Sequence, residues 1–306
     1  MKRFQTLMLR EWMQYQTGWL VMLAVPLVLA LLLTLAGQVH FNFDMSDGQS
    51  GSAGRPTPLI IAMLTLVGGT FAVFAVAAIV ALFQTIALAR RDEQDRSIEF
   101  WLSMPASHVQ SLAAPLVTHL LAVPWVALLV GAATGGVLSL LWVAKAAGFG
   151  AWFALPWGAM LATEAALLLR LAFGLVLALL WLSPIVMALM VATAWLKRWG
   201  LAAVVVGWAV AAVVVRVLYG STSVANLVSF LLGHARRSLL GAEGPDHSFQ
   251  FRSMADLRGA LDVLPGVLAG DALDALAALA TPQFALAIVI GALGFALLLY
   301  RRRRGA

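Results

Sequence analysis

The chain has 306 residues, 62% of them hydrophobic and only 11% charged, whereas an ordinary soluble domain carries about 45–50% apolar and about 25% charged residues. A soluble fold has too little interior to hide that much apolar surface, so the composition calls for lipid as the solvent. The absence of cysteine excludes disulfides, thiol chemistry and Cys-based metal sites, and a net charge of +6 with no basic face argues against nucleic acid as a partner.

In chain order, residues 2–17 come first. Phe4, Leu7, Met8, Trp12 and Tyr15 recur at helical spacing, with Arg3, Arg10, Gln14 and Thr17 on the other side. This pattern predicts an N-terminal amphipathic helix, within 1–17, lying in the membrane interface. Glu11, Gln14 and Gln16 make this stretch too long and too polar for the start of a cleavable signal peptide. Apolar runs of spanning length follow at 19–36, 58–89, 111–141, 158–196, 200–219 and 283–299. Trp19, Trp142, Trp152, Trp157 and Trp199 flank them, the placement expected of interfacial indoles. Thr57–Pro58 and Thr281–Pro282 mark helix starts, the hydroxyl residue as cap and Pro at the first helical position.

The run 158–196 contains Ser183–Pro184, which would divide it into two spans and make seven. Only residues 184–196 then remain before Lys197, short for a crossing. Charge decides the same way. With six spans, one side holds Lys2, Arg3, Arg10, Arg90, Arg91, Arg96, Lys197, Arg198 and Arg301 to Arg304, twelve basic residues. The other holds six: Arg55, Lys145, Arg236, Arg237, Arg252 and Arg258. The cytoplasmic excess of Lys and Arg therefore predicts six transmembrane helices with both termini inside and Pro184 as a kink. Residues 37–57 read as an outer polar loop. Residues 220–281 form the second outer segment, in which Leu257, Leu261, Val263 and Leu264, then Leu273, Leu276 and Leu279, predict two short amphipathic helices separated at Pro265–Gly266. The fold expected is one all-α polytopic membrane domain over 1–306.

Residues 90–110, RRDEQDRSIEFWLSMPASHVQ, form the densest charge cluster. Ile98, Trp101 and Leu102 share one helical face, Pro105 ends the element, and Ser107 with Gln110 predicts a cap on the next helix. A short amphipathic helix of this kind suits either the headgroup layer or a groove on a partner protein. The stretch Arg91, Asp92, Glu93, then Asp95, Arg96, Ser97, Ile98, Glu99, Phe100, Trp101, Leu102, Ser103, Met104 and Pro105 resembles the permease subunits of type-2 ATP-binding-cassette exporters that lack a fused ATPase. Many members carry Gly-Thr where this chain has Arg96–Ser97, which marks a divergent branch. The resemblance extends to the outline: an interfacial helix, six spans, and outer helices before the last one.

That resemblance implies that 90–110 is a coupling segment docked in a cleft of a separate ATPase subunit. It further implies two such ATPases per complex, binding ATP and Mg, a second permease copy or similar subunit, and a bacterial cytoplasmic (inner) membrane location. The residues themselves offer Phe100 and Trp101 as anchors and flanking charges to set register. No phosphate-binding G-x-x-x-x-G-K-[ST], no H-E-x-x-H and no G-x-S-x-G occurs, so no catalytic residue, metal site or cofactor is expected in this chain. The alternative is an ion-coupled secondary transporter or channel, for which the polar residues inside apolar runs, Glu164, Arg170 and Arg216, are the candidates. Glu164 pairing with Arg170 and Arg216 snorkelling to the interface are the structural alternatives for these three. Gly131 and Gly135, at GxxxG spacing in the third run, predict a close helix approach.

Overall fold

The computed structural model describes residues 2–36, 57–94, 107–241 and 254–304. Among them there is no strand; the chain is helix and short turns. Helix α1 spans Lys2–Ala36, α2 Pro58–Gln94, α3 His108–Val117 and α4 Val123–Ala147, with a π turn, Thr118–Ala122, between the last two. A short α5, Phe149–Phe153, precedes α6, Trp157–Leu196. Helices α7, α8, α9 and α10 cover Gly200–Tyr219, Ser223–Leu240, Met254–Ala277 and Pro282–Arg304. Six stretches of the described residues are long and apolar enough to cross a membrane: Phe4–Thr34, Pro58–Leu88, His108–Ala147, Trp157–Tyr219, Arg258–Ala280 and Pro282–Arg303. The chain is an all-α, multi-pass membrane protein.

Two of these stretches depart from the sequence-based boundaries. Trp157–Tyr219 is 63 residues long but reverses at Lys197, where φ is 53° and ψ −121°. Gly200 then returns so close to α6 that a Cβ on it would lie 2.4 Å from the Thr193 Cα. It therefore forms two antiparallel helices, with Pro184 inside the first, as expected. Arg258–Ala280 lies where two short surface helices were predicted. Leu261 of α9 packs by Met160 of α6 and Asp271 by Arg170, after which Ala287 of α10 packs by Trp181 and Leu298 by Met190. Helices α9 and α10 thus run in the same direction, one after the other, along α6. A second crossing needs a reversal, and none separates these two. Helix α6, with 40 residues, is about 60 Å long against a hydrocarbon core of about 30 Å, which leaves length for both neighbours.

Prolines explain where ladders bend and where they continue. Each removes one N–H and frees the carbonyl four residues earlier. Pro265 does not break α9 into two short helices, contrary to expectation, because the carbonyl it frees, on Leu261, accepts the Thr163 hydroxyl at 3.1 Å. Pro184 frees the Leu180 carbonyl, which accepts Ser183 Oγ at 2.8 Å. Ahead of Pro124 the ladder widens instead, and the Val123 N–H reaches back to the Thr118 carbonyl. Helix α1 is also continuous: residues 2–17 are helical as predicted but run on through Gly18 into the span. No proline or left-handed residue falls at the junction to turn a separate interfacial helix.

The two ends of the bundle are distinct. At one end Leu88 of α2, Ser111 of α3, Met190 of α6 and Arg302 of α10 line a shallow cleft, and Arg301 stacks on Trp195, 5.2 Å from the ring centroid. At the opposite end Leu59, Val143, Met160 and Leu261 pack together, and Trp142 Nε1 donates to Thr34 Oγ1 at 2.8 Å. Trp152 and Trp157, with ring centroids 4.5 Å apart, join Trp142 there. Trp19 departs from the interfacial pattern: it is fully buried. In the middle Gly69 and Thr70 of α2 meet Gly131 and Gly135 of α4. A Cβ on Gly135 would lie 2.4 Å from the Leu66 carbonyl oxygen, so the GxxxG spacing serves a contact within one chain.

Candidate functional site

Arg91, Asp92 and Glu93 lie in the last turn of α2. Asp95, Arg96, Ser97, Ile98, Glu99, Phe100, Trp101, Leu102 and Pro105 lie outside the described residues. The chain re-enters at Ser107, whose hydroxyl accepts the Gln110 N–H at 3.2 Å and caps α3, as its position predicts. Helix α2, with 37 residues, is about 55 Å long. The end of α2 and the start of α3 lie where α10 finishes, as the cleft of Leu88, Ser111 and Arg302 shows.

The intramembrane candidates do not form one site. Glu164 is buried, and its Oε1 accepts the hydroxyl of Thr70, also buried, at 2.6 Å. Among the described residues no group hydrogen-bonds its other oxygen, Oε2. Arg170 does not pair with Glu164. Six residues on along α6 it faces the other way, and its Nε donates to Asp271 Oδ2 at 2.7 Å. Its remaining nitrogens donate to the Ser238 and Arg237 carbonyls at 2.7 and 3.4 Å. Those carbonyls end α8, so the guanidinium caps that helix and ties it to α9, the favourable place for a cation. Gly174 makes room: a Cβ there would lie 2.5 Å from both Arg170 Nη1 and the Ser238 oxygen. Arg216 is exposed in the last turn of α7, consistent with snorkelling.

A further polar cluster joins α1, α2 and the π turn. Glu11 and His119 are both fully buried. Arg10 donates to Glu11 Oε1 at 2.5 Å from Nη2 and 3.2 Å from Nε. His119 Nε2 faces Glu11 Oε2 at 3.7 Å, and His119 Nδ1 lies 2.9 Å from Gln84 Oε1. The same Gln84 oxygen accepts Trp19 Nε1 at 3.2 Å. The imidazole meets Tyr15 and Trp19 in T-shaped contacts, with centroids at 5.0 and 5.2 Å. A single π turn is a frequent way to redirect a side chain toward a site, and here it turns His119 onto α1.

No protein-family model, curated protein or solved structure matches the chain. Function must therefore be read from the sites themselves. The sequence alone does not reveal this cluster, because His119 gains its neighbours from residues 11 and 84. A signal was present nonetheless. Leu7, Glu11, Tyr15, Trp19 and Leu23 are spaced by four, and the buried members of that series place Glu11 on the packed face of α1. A charge on such a face is costly unless it has partners.

Proposed function

We propose that the chain is the permease subunit of an ATP-binding-cassette exporter in a bacterial cytoplasmic membrane, with both termini cytoplasmic. It forms the substrate pathway with a second copy or a similar subunit. Two separate ATPase subunits, which bind ATP and Mg, drive it through the 90–110 segment. The observation that supports this reading is where the two helices flanking that segment, α2 and α3, meet it. The segment leaves from the tip of a helix longer than a bilayer is thick, at the end of the bundle that also holds the C-terminal arginines. A charged sequence following that tip, with Phe100 and Trp101 for anchors, suits a cleft on a soluble partner. A second reading, ion-coupled transport without an ATPase, is favoured by Glu164 and the Glu11–His119 pair, because buried ionisable groups in a span often serve ion movement.

Co-purification separates the two. Trp101→Ala should remove an anchor worth about 2 kcal/mol or more, and Glu99→Lys should reverse a rim charge that sets association. Both variants should insert at normal yield and lose the ATPase, or keep it with uncoupled turnover. Unchanged partner recovery and unchanged coupled turnover in both would refute the exporter reading. Headgroup anchoring alone predicts that Glu99→Lys is neutral or favourable near anionic lipid.

A further inference from the structure

We propose that the reversal between α6 and α7, together with the end of α10, binds the headgroup of an anionic phospholipid. The residue that points to it is Lys197. Among the described residues it is the one non-glycine with a positive φ, and φ 53° with ψ −121° is a conformation that favours glycine. A lysine held there costs stability that a glycine would not, and backbone strain of this kind collects at positions with a task. Burial does not account for the choice of side chain: Lys197 is exposed, and so are Arg198 and Trp199 beside it.

The surroundings are those of a membrane–water boundary. On α7, Leu201 and Val205 are exposed one turn apart, and on α10 Leu293, Leu297 and Tyr300 form an exposed stripe that stops at Arg301. Outward apolar faces on spanning helices meet acyl chains. Trp195 and Trp199, 45% and 63% exposed, lie where these faces end, the level at which indoles sit beside headgroups. Each carries a guanidinium, Arg301 at 5.2 Å from the Trp195 centroid and Arg198 at 5.5 Å from that of Trp199. The first of these contacts brings the end of α10 to the reversal. Neither residues 183–242 nor residues 282–306 contain Asp or Glu, so the end of α6, α7 and α10 supply this edge with cations only. Helix α2 ends in Asp92 and Glu93, beyond Leu88 in the cleft that Arg302 lines, and the cations assigned to lipid are therefore Lys197 and Arg198. Their N–H groups donate to phosphate oxygens, and each cation at this level strengthens anionic-lipid binding about fivefold. The apolar stripes on α7 and α10 take the acyl chains, which selects a phospholipid over a free anion. This site is independent of the ATPase reading.

The test uses the full chain in nanodiscs of phosphatidylcholine mixed with phosphatidylglycerol, with the lipid retained on release into detergent counted by native mass spectrometry. Wild type should retain phosphatidylglycerol in excess of its share of the bilayer. Lys197→Gly should weaken that preference about fivefold, and Lys197→Gly with Arg198→Gln about 30-fold, while Lys197→Arg keeps it. Glycine relieves the turn, so Lys197→Gly should melt no lower than wild type in phosphatidylcholine alone, which separates a lost preference from lost folding. No preference in wild type, an equal preference in wild type and the double variant, or a preference abolished by inorganic phosphate at constant ionic strength overturns the proposal. Melting of Lys197→Gly below wild type in phosphatidylcholine does so too, because the lysine would then be holding the turn.

Discussion

Replacing Gly135 by alanine tests the crossing of α2 and α4 in the middle of the bundle. The added Cβ would lie 2.4 Å from the Leu66 carbonyl oxygen and 2.7 Å from the Leu66 Cα. Both are backbone atoms, which cannot rotate away as a side-chain tip would. Ordinary carbon contacts lie at about 3.5–4.0 Å, so the two helices must separate by about 1 Å. Overpacking of this kind costs about 1–3 kcal/mol, while alanine recovers up to about 1 kcal/mol of helix propensity over glycine. Separation also pulls Thr70 away from Glu164, now 2.6 Å apart, which weakens a buried hydrogen bond. We expect a net loss of about 2 kcal/mol, close to a 30-fold shift in the unfolding equilibrium. The measurement is reversible unfolding of the full chain in a bilayer mimetic. Gly136→Ala and Gly68→Ala are the controls, because nothing lies within 4 Å of a Cβ at either position. They should be neutral or slightly stabilising. If Gly135→Ala unfolds like Gly136→Ala, the close crossing is not there and the argument fails.

Three further outcomes follow from the packing. Lys197→Gly should raise stability by about 1 kcal/mol in the same assay, since φ 53° with ψ −121° is a conformation that favours glycine; a loss would refute the strain at this turn. Arg170→Met should cost about 3 kcal/mol by leaving the Ser238 carbonyl of α8 without its donor and taking a guanidinium from Asp271, and Arg170→Met with Asp271→Asn should recover part of that loss in a double-mutant cycle. Thr163→Val should cost about 1–2 kcal/mol, because it strips the donor from the carbonyl that Pro265 frees, and hydrogen exchange in α9 should rise near Leu261 rather than near the helix ends.

What could be read ahead of the structure was what local chemistry decides. Thr57–Pro58, Ser107 and Thr281–Pro282 mark helix starts because caps act within three residues, and helices α2, α3 and α10 begin where they point. The spanning runs were legible because a bilayer demands length and apolarity together. Distant partners hid the rest. Pro265–Gly266 reads as a breaker until Thr163 supplies a hydrogen bond to the freed Leu261 carbonyl, 98 residues along the chain. Helix α8 went unread because its polar C-terminal turn is completed by Arg170, 67 and 68 residues earlier. Glu164 and Arg170 look like a pair along α6 until α2 and α9 offer each a better partner.

The structure also ranks the buried polar groups, which the sequence left equal. Arg170 has acceptors for all three of its nitrogens, one carboxylate and two carbonyls at the end of a helix. A guanidinium so fully engaged is a fastener. It holds α8 and α9 against α6, and a change in its surroundings would break the packing before it moved any ion. Glu164 and His119 differ in kind, because each is buried yet keeps one polar atom, Oε2 and Nε2, without a hydrogen bond among the described residues. An unsatisfied atom in such a place is costly for stability alone. A partner that satisfies either atom relieves that cost, and a conformational change that alters that partnership can be coupled to it. Glu164 sits beside the glycine crossing near mid-bundle, and His119 at the joint with α1. Any coupling of this protein to a bound ion should therefore be sought at these two side chains, with Arg170, fully engaged, a part of the frame.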